Sequence, residues 1–186
     1  MRCPGDGSPL HPDLFLLYPG GDDPAVYREE VLSRMKRLAR LAEQEGIVLL
    51  HENEKEIYGD NGERRLEILQ ACDSPKVRAA FDPANFVQCG VRPMTEAFPL
   101  VKDYIAYFHI KDALMESGKV VPAGEGDGEL EAMIAEVKRQ GYNGFLSLEP
   151  HLSAAETFQG FSGPELFVVA VRALKKPLTE AGIEWN

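Results

Sequence analysis

The chain has 186 residues, 44% hydrophobic and 27% charged, with a net charge of −10. That composition suits one globular domain with a sizeable core, and the acidic balance excludes a phosphate-backbone surface, which needs clustered Lys and Arg. No stretch approaches the roughly 20 apolar residues of a membrane span.

The segment 1–13 carries three prolines, two glycines and no apolar periodicity, so it reads as an irregular lead-in. It also lacks the apolar centre of a signal peptide, which leads us to expect a cytoplasmic protein. Residues 14–186 read as a single α/β domain. Cys3, Cys72 and Cys89 are odd in number and widely spaced, which suits neither a disulfide framework nor a zinc-binding CxxC pair.

Five short apolar runs predict strands: Leu14–Tyr18, Ile47–Glu52, Val77–Asp82, Tyr104–Ile110 and Phe145–Glu149. They show little polar alternation, as expected of parallel strands covered on both faces. Helices are predicted between them. The first is announced by Asp23 and Pro24, buries Val31, Met35, Leu38 and Ala42, and stops at Gly46. The second spans about Gly62 to Cys72 and buries Leu66 and Leu69. A third, near Met94–Val101, is kept short by Pro99. The fourth starts at Asp127, buries Leu130, Met133, Ile134 and Val137, and ends at Gly141. The fifth is capped by Ser162, takes Pro164 in its first turn and stops before Pro177.

Such strand–helix alternation means a parallel sheet with right-handed crossovers. An open doubly wound sheet and a (β/α)8 barrel compete. Five units are too few for a full barrel of about 250 residues. No GxGxxG follows the first strand, which weakens a dinucleotide-binding reading.

The strand ends carry the informative residues. Successive runs close on "LLHE" at Glu52, "AAFD" at Asp82, "AYFHIKD" with His109, and "LSLE" at Glu149. Taken singly, each has an ordinary explanation: a solvated loop entry, a turn before Pro83 or Pro150, a structural histidine. Four ligand-type residues at four successive strand ends are hard to obtain from turn chemistry. In a barrel, catalytic residues sit at the carboxyl ends of strands. Three carboxylates and one imidazole suit Mn²⁺, Mg²⁺ or Co²⁺, with Zn²⁺ as a further option.

The stretches "LLHENEKEIYGD", "RAAFDPANFVQCGV", "AYFHIKDA", "VVPAGEGDGEL" and "GYNGFLSLEPHL" resemble the xylose isomerase-like (β/α)8 superfamily, the sugar phosphate isomerase/epimerase group. The resemblance implies a TIM-barrel fold, here a partial barrel comprising strands 4 to 8. Glu149 then lies on strand 8 and Leu14–Tyr18 is strand 4, so the chain is expected to be a shortened barrel. A homo-oligomer or a partner chain could complete it. The resemblance further implies one divalent metal ion on Glu52, Asp82, His109 and Glu149. Glu52 and Glu149 would then exchange protons with a sugar or polyol through an enediolate, beside a metal-polarised carbonyl.

Some relatives carry a histidine where this chain has Asn85, which is left as a sugar-hydroxyl contact. Lys111 is expected to touch substrate or phosphate, or else to pair with Asp112 or Asp103. Glu125 is expected to line the pocket and His151 to reach the substrate. The glycine-rich "AGEGDGEL" reads as loop-to-helix geometry, because Glu125 and Asp127 place negative charge there. His51 should point away from Glu52 by strand alternation, and Glu54 and Glu56 read as solvated.

Other readings are an inosose-type dehydratase on the same metal site, or an inactive barrel remnant that only binds metal or acts as a scaffold. An abasic-site endonuclease is disfavoured by four histidines and the −10 charge.

Overall fold

The structure, a computed structural model, describes residues 23–152 and 163–185. The predicted lead-in, the Leu14–Tyr18 strand and the Ser162 cap lie outside the described residues.

Within them, α1 (Arg28–Glu45) follows a 3₁₀ turn at Pro24–Tyr27, and the Asp23 carboxylate accepts the Ala25 N–H at 2.9 Å. Gly46 closes α1 in the left-handed region, at φ 69°, where a Cβ is costly. Then come β1 (Leu49–Glu52), α2 (Gly62–Cys72), β2 (Val77–Phe81) and α3 (Pro83–Gln88). A π turn at Pro93–Ala97 runs into α4 (Phe98–Val101), followed by β3 (Ile105–Ile110). A small hairpin, β4 (Asp112–Ala113) and β5 (Val120–Val121), precedes α5 (Leu130–Arg139), β6 (Leu146–Leu148) and α6 (Pro164–Glu180).

The described main sheet is parallel, in the order β1-β2-β3-β6. Its helix-facing side carries the core, where the Phe81 ring meets those of Phe86, Phe98 and Phe108 at 5.2, 5.8 and 6.0 Å between centroids. Val77, Ala79 and Ile110 complete that side, and all three are buried.

Three points differ from the sequence reading. First, β2 is followed by a helix absent from the predicted elements: Asp82 caps α3 by accepting the Asn85 N–H at 3.0 Å, and Pro83 opens its first turn. Second, α5 begins at Leu130, not Asp127, because the preceding glycines wrap around Asp112. Its carboxylate accepts the N–H groups of Gly124, Gly126 and Gly128 at 2.9, 3.0 and 2.8 Å, and that of Ala113 at 2.9 Å. Third, α6 runs through Pro177 to Glu180. The missing N–H falls in the last full turn, and the Thr179 hydroxyl supplies a bond to the Lys175 carbonyl at 2.8 Å.

Candidate metal centre

The register of the sheet explains how four strand ends meet. Glu52 pairs with Ala80, so Asp82 stands two residues beyond it. Phe81 pairs with Phe108, which puts Asp82 level with His109, and His109 pairs with Ser147, two residues short of Glu149. The four residues are therefore staggered by two, zero and two. A barrel of eight strands has a shear of about 8, roughly one residue per strand. Even steps keep every side chain on one face of the pleat. The stagger offsets the tilt of the strands and gathers the four groups at one level.

One ligand atom from each of Glu52, Asp82, His109 and Glu149 lies within 4.8 Å of the others. His109 Nδ1 and Glu52 Oε1 are 2.7 Å apart, and His109 Nδ1 is 4.0 Å from Glu149 Oε2. Asp82 has no exposure, whereas the Glu52 and Glu149 side chains keep 30% and 34% of theirs. The donor set is hard oxygen plus one imidazole, which matches a divalent cation. Asp82 is divided between two tasks: Oδ1 caps α3, while Oδ2 accepts no well-formed hydrogen bond and is left facing the cluster.

Lys111 reaches into this group from the residue after β3. Its Nζ stands 2.5 Å from Glu149 Oε2 and 3.1 Å from Asp82 Oδ2, and its side chain is 2% exposed. Neither Asp112 nor Asp103 is its ion-pair partner: Asp112 is occupied by the four amides, and Asp103 presents its carbonyl to Arg78. Asn85 Nδ2 donates to the Asn53 carbonyl at 2.8 Å and to Glu52 Oε1 at 3.3 Å. His151 follows Glu149 by two residues, and its N–H donates to the Glu149 carbonyl at 3.0 Å. Glu125 is exposed on the loop after β5 and stands outside the group of four. His51 lies on the helix-facing side as alternation requires, packed so closely that a Cβ on Gly59 would come within 2.6 Å of its ring.

These neighbours set the charge states. Burial pushes the Asp82 carboxyl up to about 7, against the pull of Lys111 and the Asn85 N–H. The bond to Glu52 raises His109 above its ordinary value despite partial burial. Burial would lower Lys111, but the charges of Asp82 and Glu149 outweigh it and raise the ammonium. For Glu149, burial opposes ionisation, yet the Lys111 bond and charge hold the carboxyl below the usual range, with smaller help from His151 and His109.

Sequence reasoning overlooked Arg65 and Asn53. Arg65 is a fully buried guanidinium on α2. It looks like a helix-surface residue in sequence, and the available signal was its spacing three and four residues before Ile68 and Leu69, on the buried face of α2.

The sequence profile of the xylose isomerase-like TIM barrel family matches residues 8–176, and the chain belongs to that family. Among solved structures, it is similar to a D-tagatose 3-epimerase-like protein (TM-score 0.70, 20% identity, covering 89% of this chain and 60% of that one). It is also similar to the IOLI protein with a binding zinc atom (TM-score 0.65, 17% identity, 89% and 61%). A third is the probable 3-DHS dehydratase AsbF from Bacillus anthracis (TM-score 0.64, 20% identity, 86% and 58%). The chain thus spans about three fifths of the length of these structures, and its described sheet is part of a TIM barrel. No curated protein matches the chain. Among the described residues, no helix is long and apolar enough to cross a membrane.

Proposed function

We propose that Glu52, Asp82, His109 and Glu149 hold one divalent metal ion, and that the site isomerises or epimerises a small sugar or polyol. The observation carrying this reading is the convergence of four ligand atoms within 4.8 Å at the ends of four parallel strands. The metal, when bound, supplies a Lewis acid for the substrate carbonyl.

The chain's own groups divide the remaining work. Asp82 is fully buried and serves as a ligand alone. Glu52 and Glu149 keep partly exposed carboxylates and can reach a substrate, so they take and return the proton at the carbon beside the carbonyl. Lys111 holds Glu149 ionised, which suits a base. Asn85 steadies Glu52 and is assigned a sugar-hydroxyl contact in this reading; His151 and Glu125, on the following loops and outside the group of four, are assigned as further substrate contacts. Mn²⁺, Mg²⁺ and Co²⁺ suit the oxygen-rich set best, and the zinc in the similar IOLI structure keeps Zn²⁺ among the ions to test.

A thermal melt with Mn²⁺ and with a chelator tests the site, since a ligand that binds only the native state raises its melting point. A melt indifferent to metal overturns the reading. Ketoses and inosose are then screened as substrates, with Glu149→Gln as the variant that folds and does not turn over. Loss of water from the product would instead assign a lyase, the chemistry of the similar dehydratase.

A further inference from the structure

Arg65 heads the fully buried side chains by volume. A guanidinium out of water is costly unless its donors are met, and among the described residues no carboxylate forms an ion pair with it. Its acceptors are three neutral oxygens at the ends of two strands. One Nη donates to the carbonyls of His51, at 2.7 Å, and of Ala80; the other donates to the Asn53 side-chain oxygen.

Those three oxygens surround the first two members of the metal-type cluster. His51 and Asn53 flank Glu52 on either side, and Ala80 is two residues before Asp82. Asn53 completes the link: its Oδ1 also accepts the Asp82 N–H at 3.0 Å, and its Nδ2 donates to the Asp82 carbonyl at 2.8 Å. Its own carbonyl accepts from Asn85, which in turn touches Glu52 Oε1. The β1–β2 ladder ends at Glu52 and Ala80. Beyond that point, where Asp82 must be set two residues ahead of Glu52, the side chains of Arg65 and Asn53 take over from the backbone ladder.

We propose that Arg65 is a positioning residue for the metal centre: acting through Asn53 and the His51 and Ala80 carbonyls, it fixes the separation of Glu52 and Asp82 and so sets metal affinity. The inference rests on the metal reading above. Arginine is required by its shape. Its planar fork meets acceptors from several chain segments at once. Lysine offers a point charge in the same place, and methionine fills the volume while removing all three of the guanidinium's hydrogen bonds, so that Asn53 Oδ1 keeps only the Asp82 N–H.

The test is Mn²⁺ titration calorimetry on the wild type, Arg65→Met, Arg65→Lys and Asn53→Ala. Arg64→Met serves as a control, because Arg64 bonds Asp60 and the Tyr58 carbonyl away from the cluster. Each is measured at a temperature where circular dichroism shows it folded. Both Arg65 variants should lose about 10- to 100-fold in Mn²⁺ affinity, the range for outer-shell partners of metal ligands, while Arg64→Met keeps the wild-type value. Absorption of the Co²⁺-loaded proteins should show altered band positions in the Arg65 and Asn53 variants and unchanged ones in Arg64→Met. Folded Arg65 variants that bind Mn²⁺ as the wild type does overturn the inference, even where their stability has fallen. If Arg65→Met does not fold, Asn53→Ala decides: weakened binding supports the clamp and unchanged binding refutes it. A wild type that binds no Mn²⁺ removes the metal reading itself, and this inference with it.

Discussion

Lys111→Met keeps the bulk of a buried stem and deletes its charge, and its effect should depend steeply on pH. In the wild type, burial holds the Asp82 proton up to about 7 in the fold, against 3.8 for an ordinary aspartate. The native state therefore carries more protons than the unfolded chain across that window, and stability falls as pH rises through it. Above about 7 the wild-type carboxylate ionises beside the Lys111 ammonium, and the fall ends. Without Lys111, burial acts unopposed by that charge, so the native state keeps its proton further and the fall continues. One retained proton is worth ~1.4 kcal/mol per pH unit. Between about pH 7 and about pH 8.5 the variant should lose roughly 2 kcal/mol more than the wild type, or about 4–8 °C in melting point for a chain of this size. At about pH 5.5 both proteins hold the Asp82 proton. Only the pair with Glu149 is then lost, and that carboxylate is 34% exposed, so the difference should stay within about 1 kcal/mol. Melts of the two metal-free proteins at both ends of this range measure it. A deficit of equal size at both pH values refutes the reasoning, because it would mean that Lys111 contributes packing and leaves the Asp82 ionisation alone.

Metal binding should release protons. Asp82, raised to about 7, and His109, raised above its ordinary 6.5, must both be deprotonated to act as ligands. Affinity should climb from about pH 6 to about pH 8, with calorimetric heats that change with the ionisation enthalpy of the buffer; a flat profile contradicts this. Gly126→Ala should destabilise by about 2 kcal/mol or more, since its Cβ would overlap Asp112 Oδ1 and the Ala113 carbonyl and break the wrap of amides around that carboxylate. Gly163→Ala, with no atom of the described residues within 4 Å of its Cβ position and φ −70°, gives up only the N-cap preference for glycine over alanine and should cost about 1 kcal/mol or less. Urea unfolding of the pair separates a steric effect at the loop from a general cost of losing glycine.

Much of this protein was legible in its sequence because the signals are local. Gly46 ends α1 and Asp23 caps the turn that leads into it, accepting the Ala25 N–H at 2.9 Å, since caps are settled by a few neighbouring residues. The four main-sheet strands begin and end within about two residues of the apolar runs, because covered parallel strands need such runs. The same logic holds Glu52, Asp82, His109 and Glu149 at strand ends. What the tertiary structure alone decided is relative position. The two-zero-two stagger comes from the barrel's shear, a property of strands side by side that no single strand carries. Lys111 takes Asp82 and Glu149 as partners, rather than its chain neighbour Asp112, because the glycine amides of a loop 12 to 16 residues away reach Asp112 first. Arg65 reads as one more charge on a helix until α2 lies across two strand ends and turns it inward. Spacing along the chain sets which groups are available; the packing of one element against another sets which of them meet.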